Sequence, residues 1–197
     1  MKDNLPEALQ QAFNSDRLAH AYLFYGRPTT MYETTVLDFF KGLTCTRRDD
    51  LEYCGSCPDC TQIDQYSYPD LTVVPDPEQQ NTTSVGVDTV RNDVIETASL
   101  TASRGTHKLF WLDDIDRFTS EASNTLLKVL EEPPGSTVFI LTARSLWDCM
   151  DTIRSRCQWI RFPYRQSLSS NLLEECRQFW PEQSYGDQDI EQWVKVL

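Results

Sequence analysis

The sequence predicts a doubly wound α/β domain on a five-stranded parallel sheet. Two observations carry this. Short apolar runs rich in β-branched and aromatic residues alternate with longer stretches of helical periodicity, the order that a parallel sheet with helices on both faces requires. Three positions, Gly26, Asp113 and Thr142, each lie at the end of such a run. They are therefore expected at the carboxyl ends of strands, where sheets of this kind gather their sites.

Taken in order, residues 5–18 read as an amphipathic helix, with Leu5, Ala8, Leu9, Ala12 and Phe13 on one face. Tyr22, Leu23, Phe24 and Tyr25 read as a buried strand, and residues 36–43 as an apolar helix beyond a short loop. Residues 45–60 form a compact insertion. Leu71, Thr72, Val73 and Val74 make a β-branched strand, followed by a polar loop over residues 75–84. Val87, Val90, Val94 and Ala98 mark one face of a helix, with Asp88 as its expected N-cap. Leu109 to Leu112 are a strand ending in Asp113-Asp114. Thr119 or Ser120 can cap the next helix, whose buried face is Ala122, Leu126, Leu127 and Leu130, and Pro133-Pro134 end it. Residues 137–142 and 158–162 complete the sheet. From residue 164 onward only helical stretches appear, around residues 172–180 and 190–197, too little to bury a core of their own. The expected organisation is one α/β domain over residues 1–163 and a partial helical unit over 164–197.

Thirty Asp and Glu stand against 18 Lys and Arg, a net charge of -12. That balance argues against nonspecific binding to nucleic acid or an anionic membrane. It leaves room for a protein partner that itself touches DNA. The first 18 residues are polar, and no apolar run nears the roughly 20 residues a bilayer span needs. A cytoplasmic location is expected, with no membrane partner.

Strand, Gly26, loop and helix follow in the order of a phosphate-binding loop. Such a loop needs glycines for close backbone approach, a lysine on the β/γ-phosphates and a hydroxyl on Mg²⁺. Counted from Gly26, Thr29 and Met31 replace glycines, Tyr32 replaces the lysine, and Glu33, followed by Thr34, replaces the hydroxyl. An anion now occupies a position meant for an anion, so ATP binding is not expected. Asp113 and Asp114 sit where P-loop ATPases keep the acids for Mg²⁺ and water. They read either as that remnant or as solvated acids ending a strand.

Cys45, Cys54, Cys57 and Cys60 follow a C-x8-C-x2-C-x2-C spacing. C-x2-C turns bring paired sulfurs to one ion, and four thiolates close the tetrahedron of a structural Zn²⁺ with no position left for substrate. Cys149, Cys157 and Cys176 lack such spacing and read as core or surface residues.

The string Asn124-Thr-Leu-Leu-Lys-Val-Leu-Glu-Glu-Pro-Pro134, with Arg154-Ser155-Arg156-Cys157 downstream, His20 to Phe24 and the four-cysteine insertion, resembles the bacterial DNA polymerase III clamp-loader subunits of the AAA+ class. The resemblance covers about residues 18–162. It implies an AAA+ P-loop NTPase-like domain with a zinc module at residues 45–60 and a partial helical lid beyond residue 163. Tyr32 and Glu33 suit the delta-prime type, which keeps the fold without a working loop, better than the ATP-hydrolysing tau/gamma type. So does Ala143, placed where the ATPases carry a phosphate-sensing threonine. Members of the group continue through a full lid and a helical collar. Residue 197 falls within the lid, so the chain reads as a shortened relative or a fragment without the collar.

The resemblance further implies a non-catalytic subunit of the polymerase holoenzyme. It implies too that Arg156, within the Ser155-Arg156-Cys157 motif, serves as an arginine finger in trans. The implied partners are tau/gamma-type and delta-type subunits and, through the complex, the sliding clamp and primed DNA. Two other readings stay open: a tau/gamma-like ATPase with an atypical loop, and a zinc-bearing interaction protein outside the ring.

Overall fold

The structure, a computed structural model, describes residues 5–15, 17–26, 30–48, 52–77 and 84–162. The expected lid stretches, Cys176 and loop residues Arg27, Pro28 and Thr29 lie outside the described residues. Five strands, β1 (Ala21–Tyr25), β2 (Leu71–Val74), β3 (Lys108–Leu112), β4 (Thr137–Ala143) and β5 (Gln158–Arg161), pair in the order β2-β3-β4-β1-β5. Every pairing is parallel.

Alternation of side chains assigns each strand's residues to two faces. Tyr22, Phe24, Leu109, Trp111 and Ile140 pack with α1 (Glu7–Asn14), α2 (Thr30–Thr44) and α3 (Pro58–Asp64), through Leu9, Val36, Phe39, Phe40 and Ile63. Ala21, Leu23, Phe110, Phe139 and Leu141 pack on the other face against Val90, Val94, Leu126, Leu130 and Ile153. β3 and β4 are buried along their whole length, which is why they read as unbroken apolar runs. β5 lies at the sheet edge and buries Ile160 while exposing its other residues.

Three expectations are adjusted. The first helix spans Glu7–Asn14, and Leu18 packs against the core beyond its end. The helical segment after the polar loop starts at α4 (Val87–Thr89) with Gly86, not Asp88, at its N-cap; Asp88 stands in the first turn. It then runs through π-helical turns at Val90–Glu96 into α5 (Thr97–Ser99). In α6 (Ser120–Glu131), Thr119 is the cap, its hydroxyl accepting from the Ala122 amide at 3.2 Å. Glu132, which precedes Pro133, leaves helical geometry at φ -129, ψ 74, as the residue before a proline is driven to do. A single turn, α7 (Asp151–Arg154), leads into β5.

Candidate functional site

The carboxyl ends of β1, β3 and β4 do come together. Gly26 has φ +137, and a Cβ there would sit 2.4 Å from the Phe162 carbonyl oxygen and 3.3 Å from the Tyr32 hydroxyl. Only glycine suits both that conformation and that approach. Tyr32 is 5% exposed and stands edge-on to Phe162, ring centroids 4.8 Å apart at 89°. Its hydroxyl is buried with no hydrogen-bond partner among the described residues, and burial pushes its pKa up to about 12. The side chain at the lysine position is therefore part of the apolar core.

The next position is also committed. Glu33 accepts a hydrogen bond from the Tyr66 hydroxyl. Tyr66, at φ 54, follows α3 and lies near Trp111. Thr34 is exposed. Glu33 thus reaches Tyr66 of a neighbouring element, a direction that its place in the loop pattern does not signal.

Asp113 and Asp114 are not simply solvated acids. The Thr142 hydroxyl donates to Asp113 Oδ1 at 2.7 Å and accepts from the Asp114 amide at 2.8 Å. Burial raises the Asp113 pKa, opposed by the Thr142 hydrogen bond and reinforced by neighbouring Asp114. Asp114 adopts a left-handed backbone (φ 53, ψ 66) and pairs with Arg144 at 3.2 Å. Its Oδ1 is buried without a partner among the described residues.

The four cysteines converge. Cys45 follows the end of α2, Gly55 turns the chain at φ +66, and Cys57 is the N-cap of α3 with Pro58 behind it. All four Sγ atoms lie within 4.8 Å of one another; Cys45 Sγ is 3.7 Å from that of Cys54 and 3.9 Å from that of Cys57. A tetrahedron with Zn–S bonds of about 2.3 Å has edges of about 3.8 Å. Amides of Cys54, Cys57 and Cys60 donate to the sulfurs of Cys45, Cys54 and Cys57 at 3.4, 3.3 and 3.5 Å. Such donors favour thiolates. The Ser56 amide, opposed by partial desolvation and aided by that of Cys57, brings the Cys54 thiol down to about 6, whereas burial pushes Cys60 up. The donor set fits Zn²⁺, with all four positions taken by protein.

A contact absent from the sequence reading ties this module to α2. Lys41, 7% exposed, pairs with Asp64 at the end of α3 and lies 4.9 Å from the centre of the Tyr53 ring. The Tyr53 hydroxyl donates to Asp38 of α2.

Arg156 lies between α7 and β5. Its Nη1 donates to the Thr152 carbonyl oxygen at 2.6 Å and the Ser155 hydroxyl at 3.3 Å, while Nη2 pairs with Glu131, the last residue of α6. The side chain is 30% exposed, so Arg156 is anchored and partly open. Arg154 behaves differently. It pairs with Asp151, donates to the Leu146 carbonyl and covers the Trp147 ring at 4.7 Å. Cys157 packs against the core.

A parallel sheet with β1 between β4 and β5, a loop remnant after β1 and paired acids after β3 define an AAA+ P-loop-type domain. A family profile described as DNA polymerase III, delta subunit, matches residues 1–166, and the chain belongs to that family. It is 32% identical over 180 residues to DNA polymerase III subunit delta' of Bacillus subtilis (strain 168), covering 89% of this chain and 53% of that protein. It is 31% identical over 172 residues to subunit tau of the same organism, covering 87% of this chain and 29% of that protein. The chain thus spans about half the length of the delta' relative or less than a third of the tau relative. Among solved structures, a DNA polymerase III gamma subunit-related protein from Thermotoga maritima matches at a TM-score of 0.56 and 19% identity, over 88% of this chain and 52% of that one. That likeness concerns the fold alone.

Proposed function

We propose that the protein is a delta-prime-type clamp-loader subunit that does not hydrolyse ATP itself and presents Arg156 to an ATP-binding neighbour. The observation that carries this reading is Tyr32, buried against Phe162 beside Gly26. Where a working loop extends a lysine toward the β/γ-phosphates, this chain has a packed phenol. The acids of Asp113 and Asp114 keep their place after β3 but spend hydrogen bonds on Thr142 and Arg144.

With its own cleft converted, the chain contributes to chemistry through a neighbour. A guanidinium offers a planar fork that bridges phosphate oxygens and offsets charge developing during phosphoryl transfer. Arginine fingers supplied in trans raise rates by about 10³–10⁵. In this reading Arg156 supplies the fork, with Ser155 and Cys157 setting its backbone. Cys45, Cys54, Cys57 and Cys60 hold a structural Zn²⁺ that cross-links the end of α2 to the start of α3. The partners are tau/gamma-type and delta-type subunits, with sliding clamp and primed DNA reached through the complex.

No helix among the described residues is long and apolar enough to cross a membrane, which suits the cytoplasmic setting of replication. The competing reading, an ATPase with an altered loop, draws on Asp113 and Asp114. Calorimetry of ATP-Mg²⁺ against the chain separates the two: no binding heat is expected, and saturable binding with phosphate release overturns the proposal. Co-purification with tau- and delta-type subunits tests ring membership, and its failure favours an interaction protein outside the ring.

A further inference from the structure

We infer that Glu131 is a positioning residue for Arg156, fixing the guanidinium in the orientation from which it meets a neighbour's triphosphate. The inference rests on the in-trans role proposed above and adds a second residue to it.

Glu131 is an unfavourable choice for its own helix. It is the last residue of α6, where the helix dipole presents its negative end and an acid is disfavoured. Lys128 supplies the basic residue usual in that last turn, while Glu131 and Glu132, nearer the end, are both acidic. The Glu131 carboxylate instead reaches across 25 residues of sequence to Nη2 of Arg156. The pair is open to solvent, Arg156 at 30% and Glu131 at 49% exposure. Surface pairs of this kind contribute little to folding, so stability alone is a weak reason for it.

Its geometry suits orientation. Nη1 is held by the Thr152 carbonyl and the Ser155 hydroxyl from one side, and Nη2 by Glu131 from the other. Three contacts on two nitrogens fix the plane of the fork. A guanidinium has five N–H donors, so Nε and the second hydrogen of Nη2 are left over for phosphate oxygens. An otherwise mobile side chain is thereby ordered before its partner arrives, the arrangement that preserves rate at a site sensitive to small misplacement. The two sequence signatures of this chain, the Leu-Leu-Lys string and Ser-Arg-Cys, are thus joined by one ion pair.

The test uses the loader reconstituted with tau- and delta-type subunits, sliding clamp and primed DNA, reading ATP turnover for Arg156→Ala, Glu131→Ala, Glu131→Gln and the Arg156→Ala/Glu131→Ala double variant. Glu131→Ala is expected to lower kcat at the neighbouring site roughly 10- to 100-fold with KM unchanged. Glu131→Gln, which keeps an acceptor for Nη2, should retain most of the rate. Adding Glu131→Ala to Arg156→Ala should cost nothing more. Zinc content and thermal midpoint report folding, and Glu131→Lys, which repels the guanidinium, must show the same kcat loss if Glu131→Ala folds poorly. If Arg156→Ala is silent, the finger reading falls and takes this inference with it. If Arg156→Ala slows turnover but Glu131→Ala matches or exceeds the wild-type rate, or the two losses multiply, Glu131 is not a positioning residue and the finger reading stands.

Discussion

Asp70 and Gly105 are joined by a hydrogen bond of 2.9 Å from the Gly105 amide to Asp70 Oδ2, one of three amide donors that close on a single buried carboxylate. Ser103 and Arg104 supply the others at 2.6 and 2.8 Å. This clasp ties the start of β2 to the loop before β3. Burial pushes the Asp70 carboxyl up, but the amides of Gly105, Ser103 and Arg104, with Lys108, outweigh it and hold the pKa below its ordinary value. A depressed folded-state pKa gives stability that is fully present above the unfolded value, about 3.9, and is lost as pH falls through the folded value. Asp70→Asn should therefore cost stability at pH 7 and progressively less below pH about 4. Asp70→Ala, which strands three amides, should cost about 2–4 kcal/mol at pH 7. Denaturant unfolding at both pH values measures this, and an Asp70→Asn deficit that grows on acidification would show the sign to be wrong.

Restoring a lysine at position 32 should not restore nucleotide chemistry. Tyr32→Lys removes the edge-on contact with Phe162 and puts a cation into an apolar pocket. The expected result is a loss of about 2–4 kcal/mol in stability and no ATP turnover. Thermal unfolding and phosphate release check the two halves separately. A stable Tyr32→Lys variant that binds ATP would mean that the cleft is less committed than its packing indicates.

Zinc should be present at one ion per chain after purification under reducing conditions. Replacing Cys57 and Cys60 by Ser should abolish it and destabilise the segment between α2 and α3, while leaving phosphate chemistry in the neighbour untouched, because a four-thiolate site has no open position. Metal analysis and thiol titration decide this. Four freely titrating thiols in the native protein, with no metal, would remove the site.

Lys41 should matter more than its distance from any cleft suggests. Lys41→Ala leaves Asp38 and Asp64 without their shared cation and Tyr53 without its neighbour. Breaking a buried pair on one side costs about 3–5 kcal/mol; Asp64 is 49% exposed, so a cost nearer the lower figure is expected. Hydrogen exchange should show faster opening at the end of α2 and in α3 together. Unchanged exchange in α3 would mean that the zinc module stands independently of Lys41.

The five strands were legible because three of them are buried on both faces and therefore appear as continuous apolar runs. The cap at Thr119 and the stop at Pro133 were legible for local reasons, a hydroxyl three residues before an amide and a ring with no N–H. The π-helical turns at Val90–Glu96 were not, because Val90, Val94 and Ala98 keep ordinary helical spacing whether or not a residue is inserted into a turn. The cysteine cluster was legible from spacing alone. What stayed hidden were partnerships between segments: Arg156 with Glu131, Glu33 with Tyr66, Lys41 with Asp64, and the Asp70 clasp. Each joins polar residues far apart in sequence, and no periodicity signals them. Arg154 illustrates the consequence. Close to Arg156 in sequence, it anchors the Leu146 carbonyl and the Trp147 ring, so exposed Arg161 is the better control for Arg156.

The central claim is that Arg156 acts on a neighbour's ATP while this chain hydrolyses none. The most direct measurement is pre-steady-state phosphate release by the reconstituted loader carrying wild type, Arg156→Ala, Arg156→Lys or Arg161→Ala. The account predicts that Arg156→Ala slows the one site this subunit faces by about 10³-fold or more. Lysine should rescue little, since a point charge does not reproduce the fork, and Arg161→Ala should match wild type. Wild-type phosphate release from a loader carrying Arg156→Ala, with the subunit shown to be assembled, would contradict it.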